Sequence, residues 1–409
     1  MDKTKGYSSP LRRIVYGLLI CSEITAIYGF GGDWSISQYV NFILGLLVVV
    51  LVLSRKESFS FVPLGITILT IDLAIIEMIT AGHMIPANSI LIFLVYCVYW
   101  YFVTPDSVGD YIKTYKHLAV LLVGYAYIQY FVYLSSGYQF PKIIPGIPIN
   151  GTFLEQDLGN QVSDRFSSLF SEASYLARFV VPLIILELFK KERINWLFLL
   201  FLIIPMIIAV SGTGVIALLT VAIFWVFEKI KNKSRAKYGF IIVTVLFGLL
   251  LFSYLKNTEI GALFVQRTAE LSKDNVGDAS VSLSGYIRIW YGFDIYSNYS
   301  LIDKFFGNQN PAVLASYVNN TLTSGFVDAN QFFNGASRLL LFQGILGVFL
   351  FILFLRRIWQ SSSQTGKAFI LCFIVYMFDE AVYPGERMAA FLVVAYCLNK
   401  QTAERLRLL

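Results

Sequence analysis

Twelve stretches of this chain run nearly free of charge for about the 20 residues that a helix needs to cross a bilayer core. They fall near residues 12–29, 36–53, 61–79, 88–104, 117–134, 174–189, 194–210, 213–228, 237–255, 337–355, 367–382 and 384–399. A water-soluble fold of 409 residues cannot cover them, because only 14% of its residues are charged and 57% are hydrophobic. Soluble domains carry about 25% charged residues. Lipid must take the place of water over much of the surface, which excludes a soluble globule, a disordered chain and a nucleic-acid binder. The expected fold class is an all-α polytopic integral membrane protein with about 12 transmembrane helices.

Lys and Arg are retained on the cytoplasmic side of such helices, so their placement sets the orientation. With the N-terminus inside, 22 of the 32 basic residues fall on the cytoplasmic side, among them Arg12-Arg13, the five between Lys229 and Lys237, and Arg356-Arg357. Both termini are then cytoplasmic. The first run follows Arg12-Arg13 without a small-residue cleavage site and is expected to remain as a span. The chain divides into spans 1–5 (1–134), a first large outer loop (135–173), spans 6–9 (174–255), a second large outer loop (256–336) and spans 10–12 with a tail (337–409). Loops of that length are usually functional. Within the second, residues 285–294 place Ile287, Trp290 and Tyr291 on one side of a short helix, which reads as lying at the membrane interface.

Cys21, Cys97, Cys372 and Cys397 sit in apolar runs without metal-ligand spacing, and the two histidines, His83 and His117, are far apart. Neither a disulfide framework nor a metal or cofactor site is expected. What stands out is arginine on the outer side: Arg165, Arg178, Arg267, Arg288, Arg338 and Arg387 all run against the topological bias. A guanidinium binds phosphate bidentately and keeps its charge, which suits a pyrophosphate head group. The alternative is that these arginines bind lipid phosphates or pair with loop acids.

If 165–175 is helical, Arg165 and Glu172 share a face two turns apart, with Glu172 at the mouth of the sixth span. Glu172 is then a general-base candidate, or it caps the following helix or pairs with Arg165 or Arg178. Charged groups within spans suggest function by default, and here they include Glu23, Asp72, Glu77, Glu187, Asp379 and Glu380. Asp72 and Glu77 can instead satisfy one another or Tyr hydroxyls. Asp379, Glu380, Glu386 and Arg387 fall on the side of the large loops and could close a site there. Trp290, Tyr291, Tyr296, Tyr299 and Tyr317 offer either sugar-stacking faces or an interfacial belt.

The stretch from Arg165 to Glu172-Ala173-Ser174-Tyr175, just before a span, resembles a signature of the bacterial O-antigen and exopolysaccharide polymerase family within the O-antigen polymerase and ligase superfamily. Ser211-Gly212-Thr213-Gly214 opening a span, Arg288 before Trp290 with Gly307-Asn308 downstream, and Asp328 to Asn334 leading into Arg338 and Gly344-Ile345-Leu346-Gly347 resemble further elements of it, in the same order. Two positions depart: the family's frequent Glu-Pro-Ser is Glu172-Ala173-Ser174, and the loop histidine of the related ligases is missing, which speaks against a ligase.

The resemblance implies a GT-C-like polymerase in the bacterial cytoplasmic (inner) membrane. It would join undecaprenyl-pyrophosphate-linked oligosaccharide repeats at the periplasmic face, with undecaprenyl pyrophosphate leaving. It implies Glu172 or Asp328 as the catalytic acid-base group, and Arg165, Arg288, Arg338, Tyr175, Asn330 and Arg387 around the pyrophosphate and substrate. It also implies membrane lipids and a chain-length regulator as partners, with no nucleic acid. The rival reading is a flippase for lipid-linked oligosaccharides, which accounts for the carboxylates within spans but not for two long loops on one side.

Overall fold

The computed structural model describes residues 9–30, 34–55, 64–82, 84–138, 143–144, 146–150, 166–190, 193–209, 211–230, 287–318, 333–379, 382–399 and 401–402. Among them every extended element is helical: α1 (Ser9–Ile20), α2 (Ser22–Thr25), α3 (Ile36–Arg55), α4 (Leu64–Thr80), α5 (Ala87–Phe102), α6 (Val108–Ser136), α7 (Ala173–Leu188), α8 (Trp196–Ile208), α9 (Gly212–Ile230), α10 (Gly292–Asn298), α11 (Leu301–Phe306), α12 (Pro311–Val318), α13 (Gly335–Ser361), α14 (Gln364–Asp379) and α15 (Glu386–Cys397). Eleven of the twelve apolar runs coincide with helices, and the run at 237–255 lies outside the described residues.

Four of these helices are long and apolar enough to cross a membrane: Ile36–Ser54, Val108–Ser136, Gly212–Ile230 and Gly335–Ser361. Their amphipathicity is inverted relative to a soluble helix. In α3 the outward stripe is Ile43, Leu46, Leu47, Val50 and Leu53, the last 74% exposed; in α9 it is Ile216, Leu219, Ile223 and Phe227. Spaced three and four residues apart, these side chains form continuous apolar faces that water would not tolerate at this size. The protein is an all-helical membrane protein, with lipid as the solvent of those faces.

The interior is tied by tyrosines. The Tyr16 hydroxyl donates to the Phe102 carbonyl at 3.0 Å, Tyr99 to Leu19 at 3.1 Å, Tyr127 to Phe201 at 3.2 Å, and the Trp225 indole N–H to Leu188 at 2.7 Å. Several of these acceptors lie in last turns, where carbonyls have no intrahelical partner. Helix α7, apolar except for Ser174, Arg178 and Glu187, is buried along its length, with Tyr175 its one partly exposed residue, so it forms the centre of the bundle. Near its far end, the buried Glu187 accepts from the Asn195 N–H at 2.9 Å and pairs with Lys190 at 3.3 Å and Lys116 at 3.7 Å.

Three local readings of the sequence differ from the structure. Helix α6 begins at Val108, nine residues before the apolar run, because Tyr111 and Ile112 bury one face while Lys113 and Lys116 keep the segment from reading as apolar. Residues 287–298 form a π-helical turn, Ile287–Tyr291, followed by α10, and Tyr291 is fully buried against Phe333 rather than laid on a membrane. Residues 166–172 form turns, not a helix: Ser168 takes φ 60°, Glu172 is extended, and α7 starts only at Ala173. Buried side chains hold that turn, since the Ser168 hydroxyl donates to the Leu122 carbonyl at 2.7 Å and the Ser168 N–H donates to Gln129 at 2.9 Å.

The most consequential feature is the path of residues 299–310. Instead of standing off the bundle as loop, the last part of this segment, residues 305–310, packs against α4 and α13, reaching from Thr80 at the end of α4 to Leu73 two turns inside it. The Gln309 side-chain amide donates to the Leu73 carbonyl at 3.0 Å, and the Asn308 N–H donates to the Leu341 carbonyl at 2.7 Å. Helix α13 is broken to receive it: Gly344 has φ 61° and ψ −162°, and a Cβ there would collide with the Phe305 carbonyl and fall 2.7 Å from the Gly307 nitrogen. Only glycine supplies that backbone and that approach. Irregular backbone at such depth is tolerated where protein covers it or where it lines a cavity.

Candidate functional site

One end of the bundle gathers the first turns of α7, α13 and α15 with the turn that follows α1. Helix α1 stops at Ile20, and the short α2 presents Glu23. Residues 143–150 fold back over this end, the Asn150 N–H donating to the Ile27 carbonyl at 2.8 Å and the Gly29 N–H to the Pro148 carbonyl at 3.0 Å. Tyr175 and Arg178 follow on α7 one turn apart and therefore share a face. Arg338 lies in the first turn of α13, whose start is fixed by Asn334: its side-chain carbonyl accepts from the Ser337 N–H at 2.8 Å, and its amide donates to the carbonyls of Ile289 and Phe378. Glu386 and Arg387 open α15 directly after Pro384-Gly385.

The charges interlock. Glu23 Oε1 lies 3.3 Å from Arg387 Nε and 3.9 Å from Arg178 Nε. Arg178 is 1% exposed and places its guanidinium carbon 4.1 Å from the centre of the Tyr175 ring; that of Arg387 lies 4.7 Å from the same ring. One phenol therefore carries two cations, with attraction to its π face. Arg338 stands within electrostatic range of Arg387 and Tyr175, and its Nε is buried without a hydrogen-bond partner among the described residues. Three guanidiniums gather with two carboxylates, Glu23 and Glu386. Guanidinium charge is costly inside an apolar bundle and is held there by anions.

Two clefts meet at this cluster, with Glu386 in the wall of both. The first is a narrow, mostly apolar slot that runs from Glu23, Arg178 and Arg387 past Tyr115 and Phe391 to Leu186. The second, about 970 Å³ counted to its mouth, sets four amide side chains (Gln38, Asn41, Asn88 and Gln309), Arg338 and Glu386 among apolar residues such as Leu73, Leu91 and Phe342. Glu386 accepts from Asn41 Nδ2 at 2.5 Å and from the Ser37 hydroxyl at 3.2 Å. The segment that breaks α13 contributes Gln309 to this second cleft.

Of the residues expected at the site, the structure brings together Tyr175, Arg338 and Arg387. Glu172 is exposed just before α7, where its carboxylate accepts from the Ser174 hydroxyl at 3.2 Å, and it lines neither cleft. Arg165, Asp328 and Asn330 lie outside the described residues, as does the side chain of Arg288, whose backbone belongs to the π-helical turn. Glu23 and Arg178 join the cluster as well; the sequence marked one as a carboxylate within a span and the other as an outer-side arginine, but gave neither a place at the site.

Other candidates prove structural. Asp72 accepts from the Gln343 amide at 2.6 Å, and Glu77 accepts from the hydroxyl and N–H of Ser89 at 2.6 and 3.2 Å. Of the aromatic residues weighed for sugar stacking, Tyr291 and Tyr299 are the core of the α10–α13 cluster. Burial pushes the Tyr299 phenol well above its usual range, with Asp303 and Tyr317 adding to it, so it stays a donor, reaching the Asn308 carbonyl at 3.4 Å.

The chain matches no family model, and no curated protein is significantly similar to it. The site therefore has to be interpreted from its own chemistry.

Proposed function

We propose that this protein is a surface-polysaccharide polymerase of the bacterial cytoplasmic membrane. It joins oligosaccharide repeat units carried on undecaprenyl pyrophosphate, at the outer face, and releases undecaprenyl pyrophosphate. The topology that goes with this proposal is twelve spans with both termini cytoplasmic. The observation that carries it is the convergence of Arg178, Arg338 and Arg387 from three different helices at the junction of two clefts.

A diphosphate ester is multiply anionic, and guanidinium forks match its oxygens. Charge that builds on the departing diphosphate is stabilised best by cations already in place. Two clefts sharing one wall suit a transfer between two substrates, a donor and an acceptor. A flippase is less favoured, because the carboxylates within spans that suggested it, Asp72 and Glu77, are engaged by Gln343 and Ser89 as packing groups.

The test is the lipopolysaccharide pattern of a deletion strain. The expected result is core capped by a single repeat, with the ladder of long chains restored by the gene in trans. Bare core without any repeat would instead indicate a flippase or ligase.

A further inference from the structure

A glycosyl transfer needs a group to take the acceptor's proton; of the two acids first expected for it, Glu172 lines neither cleft and Asp328 lies outside the described residues. Glu386 does. It opens α15, where the helix N-terminus favours a carboxylate, and it forms the wall between the amide-lined cleft and the arginine-lined slot. Two side chains from α3 fix its orientation: Asn41 donates at 2.5 Å and the Ser37 hydroxyl at 3.2 Å. An ionised carboxylate offers about four lone-pair positions, so acceptor capacity remains after both bonds.

The flanking residues sort by chemistry. On one side, Arg387 and Arg178 hold Glu23 and carry the cationic character. On the other, Gln38, Asn41, Asn88 and Gln309 present amides, which both donate and accept and so match neutral hydroxyls, with Arg338 at the edge of the same cleft where it meets the cationic cluster. Gln309 commits its amide N–H to the Leu73 carbonyl, which leaves its side-chain oxygen to accept. It is placed there by the break at Gly344, which gives that break a use beyond packing.

We infer that the amide-lined cleft is the acceptor subsite, taking the non-reducing end of a neutral sugar chain, and that Glu386 is the catalytic base for its attacking hydroxyl. The inference rests on the polymerase reading. In the step, the acceptor oxygen bonds to the donor's anomeric carbon while its proton passes to a Glu386 carboxylate oxygen. The bond from that carbon to the diphosphate oxygen breaks, and its electron pair leaves with the diphosphate beside the arginines. Glu386 then returns the proton to solvent.

The experiment uses the full chain in proteoliposomes, with undecaprenyl-pyrophosphate-linked repeat units as both donor and acceptor, and measures chain growth alongside retention of the lipid-linked unit. Glu386→Gln keeps an acceptor oxygen for Asn41 and Ser37 but cannot take a proton. Its turnover is expected to fall at least about 10²-fold, the scale of a lost general base, with retention unchanged. Glu386→Asp, which keeps the carboxylate, is expected to stay within about tenfold to thirtyfold of wild type. Wild-type chain growth should fail at acid pH as the carboxylate protonates, while the residual Glu386→Gln rate should not follow pH.

A purely structural Glu386 gives the opposite order, with Gln at least as active as Asp, and that order overturns the inference. If Glu386→Gln does not reconstitute, Asn41→Ala decides: about a tenfold loss of turnover at unchanged retention supports the assignment, and full turnover overturns it. The two readings fail separately. A wild-type protein that makes no chains sinks the polymerase reading, whereas polymerisation lost in Arg338→Met but kept in Glu386→Gln sinks only the role of Glu386.

Discussion

Arg338→Met separates a substrate-binding arginine from a structural one, because the two roles predict opposite effects on stability. Arg338 makes no ion pair among the described residues, its Nε is buried without a hydrogen-bond partner, and Arg387 lies within electrostatic range. An unsatisfied buried donor costs about 1–3 kcal/mol. Methionine keeps the packing of the aliphatic stem and removes both that cost and the repulsion. Equilibrium unfolding in mixed micelles should therefore show Arg338→Met unchanged or stabilised by about 1 kcal/mol. Activity should move the other way. A bidentate guanidinium contact supplies two charge-assisted hydrogen bonds, each worth about 1.5–3 kcal/mol. Their loss amounts to roughly 3–6 kcal/mol, or about 10²–10⁴-fold in kcat/KM for the lipid-linked repeat, at 1.4 kcal/mol per decade. Arg338→Lys keeps the charge without the fork and should fall between. Destabilisation by more than about 2 kcal/mol, or a loss of activity below tenfold, would show that Arg338 holds the bundle rather than the substrate.

Gly344→Ala should destabilise the protein by about 2–5 kcal/mol, from a positive φ that alanine resists and a Cβ driven into the 305–307 backbone; a variant with wild-type unfolding would contradict the packing of α11 against α13. Gln343→Leu should cost about 1–3 kcal/mol, because it strips Asp72 and Tyr383 of the amide that satisfies both; unchanged unfolding free energy would show that this network is not formed. For topology, cysteines at the exposed Tyr138 and Asn298 should react with an impermeant thiol reagent in intact cells, while one at the exposed Ser361 should react only after permeabilisation. The native cysteines are buried or half-buried, which keeps the background low, and protection at 138 or 298 would reverse the proposed sidedness.

The helices were legible in the sequence because lipid imposes a strong one-dimensional rule: runs of about 20 apolar residues have to be helical, and charge has to mark their ends. The rule fails where a segment is neither span nor free loop. Residues 299–310 carry a polar, glycine-containing pattern that reads as loop, yet they enter the bundle because Gly307 and Gly344 let two backbones touch and because Gln309 and Asn308 satisfy carbonyls of α4 and α13. That pairing joins residues far apart in sequence, and no local pattern announces it.

The site divides in the same way. Arginines against the topological bias include Arg178, Arg338 and Arg387, which the fold gathers, and they could be noticed because their cost in an apolar bundle is independent of the fold. The preference for Glu172 leaned on sequence proximity to Arg165 and on an assumed helix, which the turn at Ser167-Ser168 interrupts. Glu386 and Glu23 come from opposite ends of the chain, and only the assembled bundle sets them beside the same arginine: Glu23 pairs with Arg387, and Glu386 precedes it. A site built from one or two residues on each of four separate elements leaves little spacing to find. In such a chain the informative signal is each residue's energetic cost at its own position: Glu77 and Glu187 meet that cost with Ser89 and with Lys190 and Lys116, whereas Glu23, Arg178, Arg338, Glu386 and Arg387 are gathered by the fold at one end.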